Sequence, residues 1–135
     1  MGNLKFLIYF CVCVGSIGCQ RTPGPCLGLP GVKLNASSTE QFITSPGFSD
    51  NYADDLNCSG TIRNPAGCGL IRIDVKLLDL EQENDKLRLR YGSSSTEKYV
   101  VTTSEHIIPS ESVTIRFTSD GSNTHSGFIL SYSIT

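Results

Sequence analysis

The sequence predicts an all-β protein, folded as an antiparallel β-sandwich. Apolar and polar residues alternate in several short segments, which is the pattern of strands that bury one face. These segments follow one another at intervals of about 8 to 12 residues, with turn-forming residues between them. No window shows a convincing helical period. About eight to ten short antiparallel strands are therefore expected.

The clearest strand lies in the middle of the chain, at residues 67–78. Apolar side chains occupy one face there, and charged ones occupy the other. Residues 45–52 are rich in Pro, Gly, Ser and Asn and are predicted to form turns. Further strands are expected at residues 40–44, 59–63, 87–91, 99–101, 106–108, 113–118 and 128–135.

The apolar positions of these strands predict the core of the sandwich. They are Ile43, Ile62, Ile71, Ile73, Val75, Leu77, Leu87, Leu89, Val101, Val113, Ile115, Phe117, Phe128 and Leu130.

Length and charge narrow the class of protein. The 135 residues are enough for one domain. The formal net charge of −2 provides no global attraction for nucleic acid. Charged residues make up 18% of the chain, which is low for an intracellular domain.

The first 18 residues are predicted to be a signal peptide. An apolar run at residues 4–14 is too short to span a bilayer. Small residues at Ser16 and Gly18 suit cleavage before Cys19. A lipoprotein signal with Cys19 as the lipidated residue is the alternative. We therefore expect a secreted protein without a membrane span, with a short linker at residues 19–25 and one domain at residues 26–135.

Four cysteines remain after that cleavage: Cys19, Cys26, Cys58 and Cys68. An even number in a secreted chain predicts two disulfides. Zinc binding is the alternative, although no Cys-x-x-Cys pair occurs. Asn35 begins an Asn-Ala-Ser sequon and is a predicted glycosylation site.

Five pieces of the sequence follow one another in a characteristic order: Cys26 ahead of Ser45-Pro46-Gly47-Phe48 and Tyr52; Cys58 with Ile62; residues 69–73 with Leu77-Leu78-Asp79-Leu80-Glu81; Asp85-Lys86-Leu87-Arg88-Leu89-Arg90-Tyr91-Gly92; and Phe117-Thr118-Ser119-Asp120 followed by Ser126-Gly127-Phe128 and Tyr132. With these pieces, the sequence resembles a CUB domain from about residue 26 to residue 132. The resemblance implies a CUB-like jelly-roll sandwich.

The cysteines and one strand residue depart from the family pattern. Cys26 and Cys58 match the family's first two cysteines, which implies that they form a disulfide. The family's third and fourth cysteines are missing, and Gly60 replaces the usual tryptophan. Cys19 and Cys68 are expected to pair with each other; a free thiol or a dimer bridge is the alternative.

The resemblance implies a calcium site. Its carboxylate ligands would be Glu81, Asp85 and Asp120, because calcium prefers several oxygen ligands. Ser122 and Asn123 would supply further oxygens, and Tyr52 would hold an acidic side chain in place. The alternative is that these acids are merely solvated in polar turns. The loop from Glu81 to Asp85 is shorter than usual in the family, which favours that alternative.

Basic residues at outward strand positions predict a second surface. Arg72, Arg88, Arg90 and Arg116, together with Lys76 and Lys86, would form a patch for sulfated glycans if their strands are neighbours. The alternative is an ordinary solvated face paired with acids.

These observations favour a non-enzymatic binding module. No Gly-x-Ser-x-Gly elbow accompanies His106 and His125. We expect the module to recognise an extracellular protein through its end loops, with calcium holding those loops. The alternative is a spermadhesin-like, carbohydrate-binding protein that uses the basic face. A monomer or weak oligomer is expected, without a nucleic-acid partner.

Overall fold

The computed structural model describes residues 12–13, 19–20, 32–93 and 97–135. Most of the predicted signal peptide and linker lies outside these residues. The two short strands that are described there, β1 (Val12–Cys13) and β2 (Cys19–Gln20), pair with each other in antiparallel fashion.

Nine further strands are described, and they build two sheets. They are β3 (Val32–Asn35), β4 (Gln41–Thr44), β5 (Asn57–Arg63), β6 (Ile71–Asp79), β7 (Lys86–Tyr91), β8 (Lys98–Val100), β9 (Glu105–Ile108), β10 (Ser112–Thr118) and β11 (Gly127–Ile134). One sheet has five strands in the order β3-β5-β10-β7-β8, and the other has four in the order β4-β11-β6-β9. The predicted all-β sandwich is confirmed.

One strand departs from the purely antiparallel prediction. β3 was not expected, and it runs parallel to β5, with Val32 opposite Gly60. Its four residues carry little periodic signal of their own. Backbone pairing with β5 therefore decides their conformation.

The core lies between the sheets, on the alternating faces that the sequence indicates. Of the predicted core residues, all except Leu77 and Val101 are buried. Long-range packing adds apolar residues that the alternation did not select: Ala36, Tyr52, Leu56, Cys58, Val100, Ile108 and Tyr132.

The two exceptions have different physical causes. Val101 is 80% exposed while its neighbour Val100 is buried, so the predicted strand is out of step by one residue. In β6, a register shift falls where Ile129 faces Leu77 and Leu130 faces Val75. Such an irregularity breaks the alternation. Leu78 packs against the core beyond it.

No helix among the described residues has the length and apolar character needed to cross a membrane.

Candidate metal centre

Strand pairing brings two acidic loops to the same end of the sandwich. Thr118, the last residue of β10, lies opposite Lys86, the first residue of β7. Asp85 directly precedes Lys86, and Asp120 lies two residues after Thr118. Antiparallel pairing of two central strands therefore makes the 81–85 loop and the 119–126 loop neighbours.

Three carboxylates converge there. Glu81, Asp85 and Asp120 each place one carboxylate oxygen within 4.8 Å of the others. Asp85 is only 2% exposed, and the other two are half-buried. In the described part of the chain, no Lys, Arg or His pairs with them within 4.0 Å. The cluster therefore concentrates negative charge where solvent screens it poorly.

The short 81–85 loop is a closed turn. The backbone N–H groups of Asn84 and Asp85 both donate to the Glu81 carbonyl, at 3.3 and 2.9 Å. This turn aims the carboxylates of Glu81 and Asp85 at a common point. The shortness of the loop, which favoured solvated acids in the sequence, is thus compatible with a shared site.

Asp85 is held by hydrogen bonds on both oxygens. The Tyr52 hydroxyl donates to Oδ2 at 2.5 Å, and the Asp120 backbone N–H donates to Oδ1 at 2.9 Å. The same hydroxyl accepts a hydrogen bond from the Glu81 backbone N–H at 3.2 Å. Tyr52 therefore joins two of the acidic residues, in the place that the family resemblance implied.

Tyr52 is fixed from the core side. It is 1% exposed, and its ring meets that of Phe117 edge-on, with centroids 5.1 Å apart. Burial, followed by the hydrogen bond to Asp85, raises the pKa of Tyr52. Its hydroxyl thus stays protonated and remains a donor to the carboxylate.

Ser122 and Asn123 lie beside the carboxylates. The Ser122 backbone N–H donates to Asp120 Oδ1 at 3.2 Å, and Asn123 Nδ2 donates to Glu81 Oε1 at 3.0 Å. Asn123 has a φ of 59°, a left-handed conformation that Asn tolerates better than most residues. All five predicted ligand residues are therefore brought together.

One oxygen of the cluster has no partner. Glu81 Oε2 is buried and accepts no hydrogen bond from the described residues. A buried carboxylate oxygen without a partner is costly. A hard cation surrounded by oxygens would satisfy it, and calcium takes 6 to 8 such ligands. The residues present therefore fit calcium.

Sequence reasoning missed the contacts that fasten these loops. Ser119 Oγ donates to the Ala53 carbonyl at 2.8 Å and accepts from the Leu56 N–H at 2.9 Å. The Asp55 N–H donates to the Asp120 carbonyl at 2.8 Å. These contacts join segments far apart in the chain, so no local pattern indicates them.

Hydrogen bonds to Asp79, the last residue of β6, hold the other end of the 119–126 loop. Asp79 Oδ2 accepts from the Ser126 N–H at 3.1 Å, and Oδ1 lies 3.0 Å from His125 Nδ1. The Ser126 N–H, followed by the His125 side chain, holds the pKa of Asp79 below its ordinary value.

The predicted basic patch is divided between the two sheets. Arg88, Arg90 and Arg116 lie on the five-stranded sheet, and Arg88 faces Arg116 directly across the strands. Arg72 lies on β6 of the other sheet and forms an ion pair with Glu105. Including Arg72 and Lys76 in the patch was therefore wrong, since both lie on β6 and alternation gives a residue's face but not its sheet.

The cysteine predictions have two outcomes. Cys58 is disulfide-bonded, and its predicted partner, Cys26, lies outside the described residues. Cys68 is free and exposed, so the expected Cys19–Cys68 disulfide is not formed. Cys68 sits in a turn after β5, where its carbonyl accepts from Asn64 Nδ2 at 2.8 Å.

The fold is a β-sandwich with three carboxylates clustered at one end. The sequence-family model for the CUB domain matches residues 32–132, which is most of the chain. The chain therefore belongs to the CUB domain family. CUB domains are generally non-catalytic binding modules of extracellular proteins.

Sequence relatives include human cubilin, which is 29% identical over 120 residues. Cubilin from dog is 30% identical over 115 residues. The alignments cover 82% and 78% of this chain, but only 3% of each cubilin.

Solved structures agree with the fold. The CUB2 domain of MASP-1 bound to Ca²⁺ is 25% identical, with a TM-score of 0.60, over 74% of this chain and 96% of that one. The extracellular region of zebrafish Gpr126 is 24% identical, with a TM-score of 0.67, over 76% of this chain and 14% of that one.

Proposed function

We propose that this chain is an extracellular, calcium-dependent protein-binding module. Glu81, Asp85 and Asp120 would hold the ion, with oxygens from Ser122 and Asn123. The observation that carries the proposal is the convergence of three carboxylates within 4.8 Å without a basic partner among the described residues. The similarity to a CUB domain solved with Ca²⁺ supports it.

Bound calcium would fix the loops for recognition. It would neutralise the repulsion among the carboxylates and join the 81–85 loop to the 119–126 loop. Carboxylate oxygens that remain free at the rim would then accept hydrogen bonds from a partner's Lys or Arg. Such binding weakens with added salt, because exposed ion pairs are screened.

The proposal includes the processing of a secreted chain. Residues 1–18 would be removed as a signal peptide, and Cys26 and Cys58 would form a disulfide. Asn35 would carry a glycan; its side chain is exposed on an edge strand of the sheet, which makes it accessible.

Calcium titration of an Asp120→Ala variant tests the site. We expect calorimetry to show a calcium affinity reduced by at least about tenfold. Loss of a group that only hydrogen-bonds to a metal ligand already reduces metal affinity by about 10- to 100-fold, and loss of the ligand itself should cost at least as much. Asp54→Ala is the matched control, since Asp54 is an exposed acid in a neighbouring loop, and it should retain the wild-type affinity. Equal affinity in both variants would contradict the assignment.

Thermal unfolding gives a second measurement. Calcium at 100 times its dissociation constant stabilises the folded state by about 2.7 kcal/mol. This corresponds to a melting shift of roughly 8 to 15 °C in a domain of this size. Wild-type protein that melts at the same temperature in calcium and in chelator would overturn the proposal.

A further inference from the structure

The strands of the five-stranded sheet carry positively charged residues and no negatively charged ones. Its strands β3, β5, β7, β8 and β10 contain seven Lys or Arg residues and no Asp or Glu. The four-stranded sheet has Arg72 and Lys76 against Asp74, Asp79 and Glu105. Since the whole chain has a formal charge of −2, positive charge is concentrated on one sheet.

Strand register places much of this charge on the outer face. Arg88 and Arg116 are directly opposed, and Arg90 lies opposite Thr114. Thr114 faces Thr61, which faces Lys33. Lys33 and Arg90 thus stand in one row across four strands, roughly 14 Å apart at usual strand spacing. Like charges directly opposite each other destabilise a sheet.

These guanidinium groups surround a cavity of about 320 Å³. Its lining includes Arg88, Arg90, Arg116, Glu97, Ser59 and Thr114. Three cations, two hydroxyls and one carboxylate therefore face a common space that suits an anion with hydroxyl groups.

Glu97 alone offsets the three arginines among the described residues. It lies 3.4 Å from Arg88 and 4.0 Å from Arg116. Arg90 has no ion pair in the described part of the chain, and Arg88 Nε is buried without an acceptor there. The cluster thus retains unmatched donors and positive charge.

We propose that this outer face binds a sulfated polysaccharide, with Arg88, Arg90 and Arg116 contacting its sulfates. Cations spread across four strands, from Lys33 at one side to Arg90 at the other, match a linear polyanion better than one phosphate group. Ser59 and Thr114 supply partners for sugar hydroxyls. Single-stranded nucleic acid is bound by stacking successive bases on aromatic side chains, whereas on this face Arg88 already lies over the ring of Tyr99, 5.4 Å from its centroid.

The test compares two double variants on immobilised heparin, in chelator so that the acidic end does not contribute. Arg90→Gln with Arg116→Gln removes two charges from the basic face. Arg72→Gln with Lys76→Gln removes the same charge from the opposite sheet. Circular dichroism melting would verify that both variants fold.

We expect the first double variant to elute at lower NaCl and the second to elute with wild type. The slope of log affinity against log salt should fall by about one for each lost contact, because fewer counterions are released. Glu97→Gln should elute later than wild type, since it removes the competing carboxylate.

Three results would overturn the proposal. Equal shifts in the two double variants would mean general ion exchange. Equal retention on desulfated heparin would exclude sulfate as the recognised group. Equal competition by polyglutamate or single-stranded DNA of matched charge would show that any polyanion binds. Unchanged elution when chloride is replaced by inorganic sulfate of equal ionic strength supports recognition of the chain rather than of free sulfate.

Discussion

The acidic end and the basic face both gather like charges, but they do so in different physical settings. At the acidic end, Asp85 is buried and both of its oxygens accept hydrogen bonds. On the basic face, Arg90 is exposed at an outward position of an open sheet. Packing therefore fixes the first cluster, whereas water and salt screen the second.

This difference indicates what each region can recognise. Buried carboxylates held in one geometry select a cation by its coordination. A guanidinium group such as that of Arg90, which is exposed on a flexible stem, recognises charge density and tolerates variation in spacing. Substitutions near the acidic end should therefore affect stability, while those near the basic face should affect mainly binding.

The largest expected effect comes from Gly127→Ala, at the loop that carries Asp120. A Cβ atom there would lie 1.8 Å from Ser45 Oγ, and the φ of Gly127 is +97°. Strain and overpacking should cost about 3 to 5 kcal/mol in urea unfolding.

Gly92→Ala, beside the basic face, is the matched control for that substitution. Gly92 has a φ of +73°, but nothing lies within 4 Å of the added Cβ. It should lose only about 1 kcal/mol. Similar losses in both variants would show that the acidic end is not the more tightly packed region.

An intermediate effect is expected for Tyr52→Phe. This change removes the hydroxyl that donates to Asp85 and accepts from the Glu81 N–H, so two buried groups lose a partner. We expect a loss of about 1 to 3 kcal/mol without calcium, together with weaker calcium binding in calorimetry.

Tyr99→Phe on the basic face is the control for Tyr52→Phe. Tyr99 is 52% exposed. The free energy of unfolding of the Tyr99→Phe variant should therefore stay within about 0.5 kcal/mol of the wild-type value. A loss as large as that of Tyr52→Phe would remove the distinction between the two regions.

The smallest effect concerns acid sensitivity. The Ser126 N–H and His125 lower the pKa of Asp79. This carboxyl therefore stabilises the fold fully above its unfolded pKa of about 3.9. The stabilisation disappears as the pH falls through the lower folded value.

Asp79→Asn should therefore flatten the decline of stability below about pH 4, measured by urea unfolding across pH. Asp54→Asn, the same substitution at an exposed acid in a neighbouring loop, is the matched control. If the stability of Asp79→Asn fell with decreasing pH as steeply as that of the wild type, the contacts of Asp79 with Ser126 and His125 would contribute nothing to stability.

Local alternation predicted most of the sandwich but failed where the backbone departs from a regular pleat. Ile71, Ile73 and Val75 are buried as expected, whereas Leu77 lies just beyond the point where the register shifts. Val101 was placed one residue out of step because the sequence did not indicate where β8 ends. Strand ends and irregularities depend on pairing with neighbours.

More of the candidate metal centre than of the basic face could be predicted from the sequence. The family motifs selected Glu81, Asp85 and Asp120, which the fold brings together. The contacts that fasten their loops, such as Ser119 to Ala53, join residues distant in sequence. No pattern within a single segment encodes such a contact.

The sequence by itself determined the all-β class, most of the core and the outward positions of the charged residues. It could do so because side chains alternate between faces with the period of the pleat, which is a local property. Only the tertiary structure decided which strands are neighbours. That choice paired Arg72 with Glu105, opposed Arg88 to Arg116, and assembled the acidic end from loops whose ends meet through long-range strand pairing.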